Sequence, residues 1–113
     1  MEIITETVNG VTVFRISGYM VADTIDTLKR ELERERPSPI NKVVFDLENV
    51  QMIDSSGLGA IVFLVKRCRA AGGDVKVAAA QGHVTDVFEL VGFHKAIEMY
   101  PTVAEAIVRF RER

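Results

Sequence analysis

The chain has one cysteine, no tryptophan, and three prolines gathered at two places, Pro37 with Pro39 and Pro101. A lone cysteine, Cys68, excludes an intrachain disulfide and a thiolate metal cluster. It stands beside Lys66, Arg67 and Arg69, bases that lower a thiol pKa where the thiol is exposed. Its first reading is still that of a small apolar packing residue. Long apolar runs are missing too: none approaches the ~20 residues that span a bilayer, so no membrane insertion is expected. The opening residues, Met1-Glu2-Ile3-Ile4-Thr5-Glu6, lack the basic start and apolar stretch of a signal peptide, which makes the cytoplasm the expected location. Nor is there a basic excess. Fourteen Lys and Arg against 16 Asp and Glu leave a formal net charge of −2, which argues against direct nucleic-acid binding. His83 and His94 have no acidic or cysteine cluster beside them, so no metal site is assigned. No hydrolytic triad, phosphate-cradling lysine loop or dinucleotide fingerprint is present. No catalytic residue and no cofactor follow from the sequence, and an enzyme is not expected.

What is present is an ordinary globular balance, 48% apolar and 27% charged over 113 residues, enough for one core and one domain, 1–113. Residues 3–8 and 11–17 read as strands joined at Asn9-Gly10, a dipeptide suited to the positive φ of a tight hairpin. Val11 and Val13, with Arg15, take one face and Phe14 and Ile16 the other, and Gly18 is expected to end the strand. Asp23 or Thr24 is placed to cap a helix whose Ile25, Leu28 and Leu32 make one apolar stripe. Lys29, Arg30, Glu33, Arg34 and Arg36 read as its solvated face, and Pro37 and Pro39 as its stop.

Val43 to Leu47 predicts a buried strand, followed by a polar bend and a helix over 55–71 closed by Gly72-Gly73. In that helix Leu58, Ile61, Val62 and Val65 are expected to face the sheet, with Ala60, Phe63 and Leu64 pointing elsewhere. Val75 to Ala79 is the next strand. Val84, Val87, Phe88 and Val91 stripe a third helix ended by Gly92, and Ala96 to Met99 is a short last strand. Thr102 and Glu105 form a capping box for a closing helix striped by Val103, Ala106, Ile107 and Phe110. The order β-β-α-β-α-β-α-β-α predicts an α/β fold, a mixed sheet with packed helices.

The most informative stretch is Asp54-Ser55-Ser56-Gly57-Leu58-Gly59. It sets two hydroxyls and a carboxylate at a helix start, where backbone N–H groups lack intrahelical partners and the dipole favours negative charge. A phosphoryl group there adds about −1.5 to −2 charge and is expected to find those free amides. Asp, Ser and Gly are also common caps with no further role. Two features exceed capping needs: a second hydroxyl, and two glycines that each cost up to about 1 kcal/mol against Ala. Small residues at Gly57 and Gly59 leave room for a partner backbone or a nucleotide.

Together with Val44-Phe45-Asp46-Leu47 and Met52-Ile53 before it, this stretch resembles the STAS domain, and most of all the bacterial anti-sigma factor antagonists. Gly72-Gly73, Val87-Phe88-Glu89-Leu90-Val91-Gly92-Phe93 and Thr102-Val103-Ala104-Glu105-Ala106 resemble it more weakly, so the likeness runs along almost the whole chain. In that family the serine after the motif's Asp is phosphorylated by a partner that is both anti-sigma factor and kinase. The resemblance therefore implies phosphorylation at Ser55, with Asp54, Ser56 and Gly57 around it. It also implies a partner switch. The unphosphorylated chain binds the anti-sigma factor serine kinase and frees a sigma factor, the phosphorylated chain lets go, and a serine phosphatase restores it. Tyr19, Met20, Asp23, Leu58, Gly59 and Phe63 are the expected contact residues, on a chain expected to be a monomer when alone. One departure stands out. Antagonists often carry an acidic residue soon after the glycine that ends the second strand, as in Gly-Glu-Leu-Asp, and here Gly18-Tyr19-Met20-Val21-Ala22-Asp23 places Val21 three after Gly18. The altered loop keeps open an alternative, a constitutive STAS subunit of a transporter or a stress-signalling scaffold. The intact Ser55 favours the switch.

Overall fold

Asn9 and Gly10 both take positive φ, 53° and 79°, and the hairpin they close starts a five-stranded sheet. The computed structural model describes residues 1–111. In chain order these form β1 (Glu2–Val8), β2 (Val11–Met20), α1 (Ile25–Glu33), β3 (Lys42–Ile53), α2 (Ser55–Ala70), β4 (Asp74–Ala78), α3 (Gly82–Leu90), β5 (Met99–Tyr100) and α4 (Val103–Arg111), with a 3-10 turn at Phe93–Lys95. The sheet order is β1-β2-β3-β4-β5; β1 runs antiparallel to β2, and the later neighbours are parallel. The expected α/β order and mixed sheet are what the chain forms.

Alternation along the strands divides the core in two. Phe14, Ile16, Val43, Phe45, Leu47, Val75 and Val77 face α1, α2 and α3 in the larger cluster. Val11, Val13, Val44 and Ala78 face Ala106, Ile107 and Phe110 of α4 in the smaller one. The α1 stripe of Ile25, Leu28 and Leu32 is buried as expected. Lys76 is fully buried on the α4 side, where its ammonium meets Glu98 at 2.8 Å and lies 4.6 Å from the Phe110 ring centre.

Several expectations change, each for a packing reason. Gly18 does not end β2; it sits within the strand at φ 95°, between register shifts that let the strand continue to Met20. Because β2 continues, the polar bend expected after Leu47 is strand as well: Ser17, Gly18, Tyr19 and Met20 pair with Asn49, Val50, Met52 and Ile53. Helix α1 stops at Glu33, before the prolines, as Arg34 turns to extended backbone. The last strand is Met99–Tyr100, since the 3-10 turn takes up the chain ahead of it. Thr102 caps α4 by accepting from the Glu105 N–H at 3.2 Å.

In α2 the buried residues are Gly57, Ala60, Ile61, Leu64, Val65 and Cys68. Ala60 and Leu64 were expected outside; they are covered because α1 packs on α2 as a second wall. Cys68 is buried, and that burial pushes its thiol up to about 11 against the pull of Arg67. The native protein is therefore expected to resist thiol reagents near pH 8 and to react once unfolded. Fast stoichiometric labelling of the folded chain would contradict this.

Candidate functional site

β2 and β3 end side by side, and the residue that follows β3 is Asp54, the N-cap of α2. Its extended backbone (φ −120°, ψ −169°) turns the carboxylate back over the helix start. One carboxylate oxygen accepts from the N–H groups of Ser56 at 2.8 Å and Gly57 at 3.3 Å; the other accepts from Ala22 N–H at 3.1 Å. The Asp54 N–H donates to the Met20 carbonyl at 3.2 Å, and the Asp54 carbonyl accepts from Leu58 N–H at 3.0 Å. Asp54 thus ties together the end of β2, the loop after it and the first turn of α2.

Partial burial pushes the Asp54 carboxyl up, but the N–H groups of Ala22, Gly57 and Ser56 outweigh it and hold the carboxyl below its ordinary value of 3.8. The folded state therefore binds this proton less readily than the unfolded chain. Its stabilisation is complete above the ordinary value and is lost as pH falls through the folded value. Asp54→Ala is expected to lower the denaturant midpoint at neutral pH and to speed hydrogen exchange at Ala22. The gap from wild type should close on acidification; a gap independent of pH would show that the carboxylate does not hold this junction.

The expectation of free amides at the helix start holds for Ser55 alone, whose N–H has no partner among the described residues. The Ser56 and Gly57 N–H groups are already taken by Asp54. Ser55 is exposed and Ser56 half-buried, and neither hydroxyl hydrogen-bonds to another described residue. The two glycines separate in role. A Cβ on Gly57 would lie 2.4 Å from the Met20 carbonyl oxygen and 2.7 Å from Ile53 Cγ1, so its smallness admits the protein's own backbone. Gly59 faces open space.

Beside Ser55 lies a groove of about 430 Å³ between α1 and α2. Ser55, Ser56, Gly59, Ala60 and Phe63 form its α2 wall; Lys29, Leu32 and Glu33 form its α1 wall. Phe63 is 57% exposed at its edge, while Tyr19 and Met52, neighbours across β2 and β3, are 47% and 45% exposed. The expected contact residues therefore divide. Tyr19, Gly59 and Phe63 are exposed, as is Asp23 in the loop held by Thr24, whose hydroxyl donates to the Tyr19 carbonyl and whose backbone N–H donates to the Val21 carbonyl. Leu58 is half-buried against the core. Met20 is corrected: its side chain is fully buried, and it reaches the site only through its carbonyl.

Met52, exposed beside Tyr19, and Lys29, on the groove wall, are two residues that sequence reasoning did not place here. Met52 lay in the supposed bend. Lys29 and Glu33 looked solvated, although their positions, four and eight after Ile25, border the buried stripe on a helical wheel. Among the described residues, no group of three or more His, Cys, Asp or Glu is placed to hold a metal. No helix among them is long and apolar enough to cross a membrane.

Comparison with known proteins places this geometry in context. Residues 2–106 match the family model described as the STAS domain. An anti-sigma F factor antagonist of Paenibacillus polymyxa is 27% identical over 108 residues, covering 95% of this chain and 92% of its own. The crystal structure of an anti-sigma factor antagonist from Mycobacterium paratuberculosis superimposes with a TM-score of 0.86 at 24% identity, over 97% of this chain and 93% of that one. The Bacillus cell fate determinant SpoIIAA in its phosphorylated form shares the fold at a TM-score of 0.74 and 20% identity, over 96% and 98% of the two chains.

Proposed function

The chain belongs to the STAS domain family, and from that premise we propose that it is an anti-sigma factor antagonist switched by phosphorylation of Ser55. The chain, 1–113, acts as one binding module and not as an enzyme. Unmodified, it docks on an anti-sigma factor that is also a serine kinase, through Tyr19, Asp23, Met52, Gly59 and Phe63, and so frees a sigma factor. The observation that carries this reading is the Ser55 hydroxyl: exposed, without a hydrogen-bond partner among the described residues, and set on a groove lined by Leu32, Ala60 and the exposed Phe63.

The chemistry asked of the chain is small. Ser55 Oγ attacks the terminal phosphorus of a nucleoside triphosphate held by the kinase, the bond to the diphosphate leaving group breaks, and the hydroxyl proton passes to a base on the partner. Asp54 is a poor base for this, since three N–H groups hold it ionised and in place. Its task is to fix the strand end and the helix start. A phosphatase then hydrolyses the ester and returns the binding form. The likeness to a relative named for antagonism, and the same fold in a protein that has a phosphorylated form, support the reading. Mixed with its kinase and a nucleoside triphosphate, the wild-type chain is expected to take one phosphoryl group at Ser55, and Ser55→Ala none. Transfer to Ser56 in either protein would overturn the assignment.

A further inference from the structure

A dianion on Ser55 needs a counter-charge, and at the start of α2 only the N–H of Ser55 itself is without a partner among the described residues, a donor but not a full charge. The Ser56 and Gly57 N–H groups are committed to Asp54, the Leu58 N–H to the Asp54 carbonyl, and the Asp54 carboxylate is itself a like charge next to the phosphate. A full positive charge has to come from a side chain, and the groove supplies one. Among the described residues, Lys29 is the one basic side chain that lines the groove shared with Ser55. Arg34 and Arg36, further along the chain, are paired with Glu31, while Arg30, Lys66 and Arg67 have no ion pair among the described residues but do not line this groove. Lys29 is exposed on α1 and has no ion pair among the described residues.

Resting on the assignment of Ser55 as the modified residue, we propose that Lys29 is the receptor for the Ser55 phosphate. The ammonium group reaches over the groove on its flexible four-carbon stem and pairs with the phosphate. The pair spans α1 and α2 and lies over the apolar walls formed by Leu32 and Phe63. Phosphorylation then does two things at once: it adds charge beside Asp54, and it draws a cation of the same chain across the groove. Glu33, one turn further along α1 and lining the same groove, opposes the phosphate and limits the strength of the pair. The charged groups around the phosphate are Asp54 from the end of β3, Asp23 from the loop whose Ala22 N–H binds Asp54, and Lys29 and Glu33 from α1.

The test reads the phosphate itself. Phosphoserine is encoded at position 55, and its phosphorus NMR resonance is titrated against pH in the otherwise wild-type chain and in Lys29→Ala, Lys29→Arg and Glu33→Gln. A paired cation favours the dianion, so Lys29→Ala is expected to raise the second phosphate pKa by about half a unit or more. Lys29→Arg should retain the lower value, and Glu33→Gln should depress it further. All three positions altered, 29, 33 and 55, are exposed, and circular dichroism checks that each variant folds. Superimposable curves for wild type and Lys29→Ala would overturn the proposal. Because the phosphoserine is installed directly, this outcome is independent of whether cells modify Ser55. Absence of phosphate on Ser55 in cells would instead defeat the switch reading and leave the Lys29 pairing to be read from the same titration.

Discussion

Gly57→Ala is expected to cost about 3 kcal/mol of folding stability, the upper end of what overpacking a close contact does. The added methyl would sit 2.4 Å from the Met20 carbonyl oxygen and 2.7 Å from Ile53 Cγ1. The first is backbone, and it already accepts the Asp54 N–H; the second belongs to a fully packed side chain at the end of β3. Neither can yield without loosening the strand pair that positions Ser55. Against the 5–15 kcal/mol that holds a typical domain together, this loss is large. Gly59→Ala makes the contrast. Its Cβ meets nothing within 4 Å, so replacing a helical glycine is expected to add about 0.5–1 kcal/mol of stability. Denaturant unfolding of the two variants settles the comparison. Equal midpoints would mean that α2 has room to shift at its start and that Gly57 is not required there for packing.

Phosphorylation of Ser55 is expected to weaken binding to the anti-sigma factor about 100-fold or more, corresponding to roughly 3 kcal/mol. The hydroxyl opens onto a groove whose walls are largely apolar, formed by Leu32, Ala60 and the exposed Phe63. Docking would strip water from a phosphate placed there, beside a carboxylate that its three N–H partners keep ionised. Ser55→Asp carries less charge and fewer acceptor oxygens, so a smaller loss of about tenfold is expected from it. Ser55→Ala removes only a hydroxyl and should bind as wild type does. Calorimetric titration of the purified partner with the four proteins gives these ratios. A phosphorylated chain that binds as tightly as the unmodified one would separate the modification from docking.

Local signals reached further than tertiary ones in this chain. Asn9-Gly10 announced its hairpin, and alternation assigned Val11 and Val13 to one face and Phe14 and Ile16 to the other, because both depend on a few adjacent residues. Asp54 could be read as a cap for the same reason. The extension of β3 through Glu48, Asn49 and Gln51 could not, since it depends on β2 continuing past Gly18 with two register shifts. Met20 looked like loop and is core on the same account. The stripe of α2 misled because two walls cover it, the sheet and α1, whereas a helical wheel assumes one. The groove beside Ser55 belongs to that second wall, so Lys29 could be placed there only once α1 was seen against α2. Lys76 is a similar case: its partners Glu98 and Phe110 arrive from far along the chain.

The most direct measurement takes the protein from its own cells, maps its phosphorylated residues by mass spectrometry, and identifies what is captured with the wild-type, Ser55→Ala and Ser55→Asp chains. The account predicts phosphate on Ser55 and a kinase-type anti-sigma factor retained by Ser55→Ala and depleted with Ser55→Asp. A Ser55 free of phosphate in every growth state, with the same partners held by all three chains, would contradict it and favour a constitutive STAS subunit.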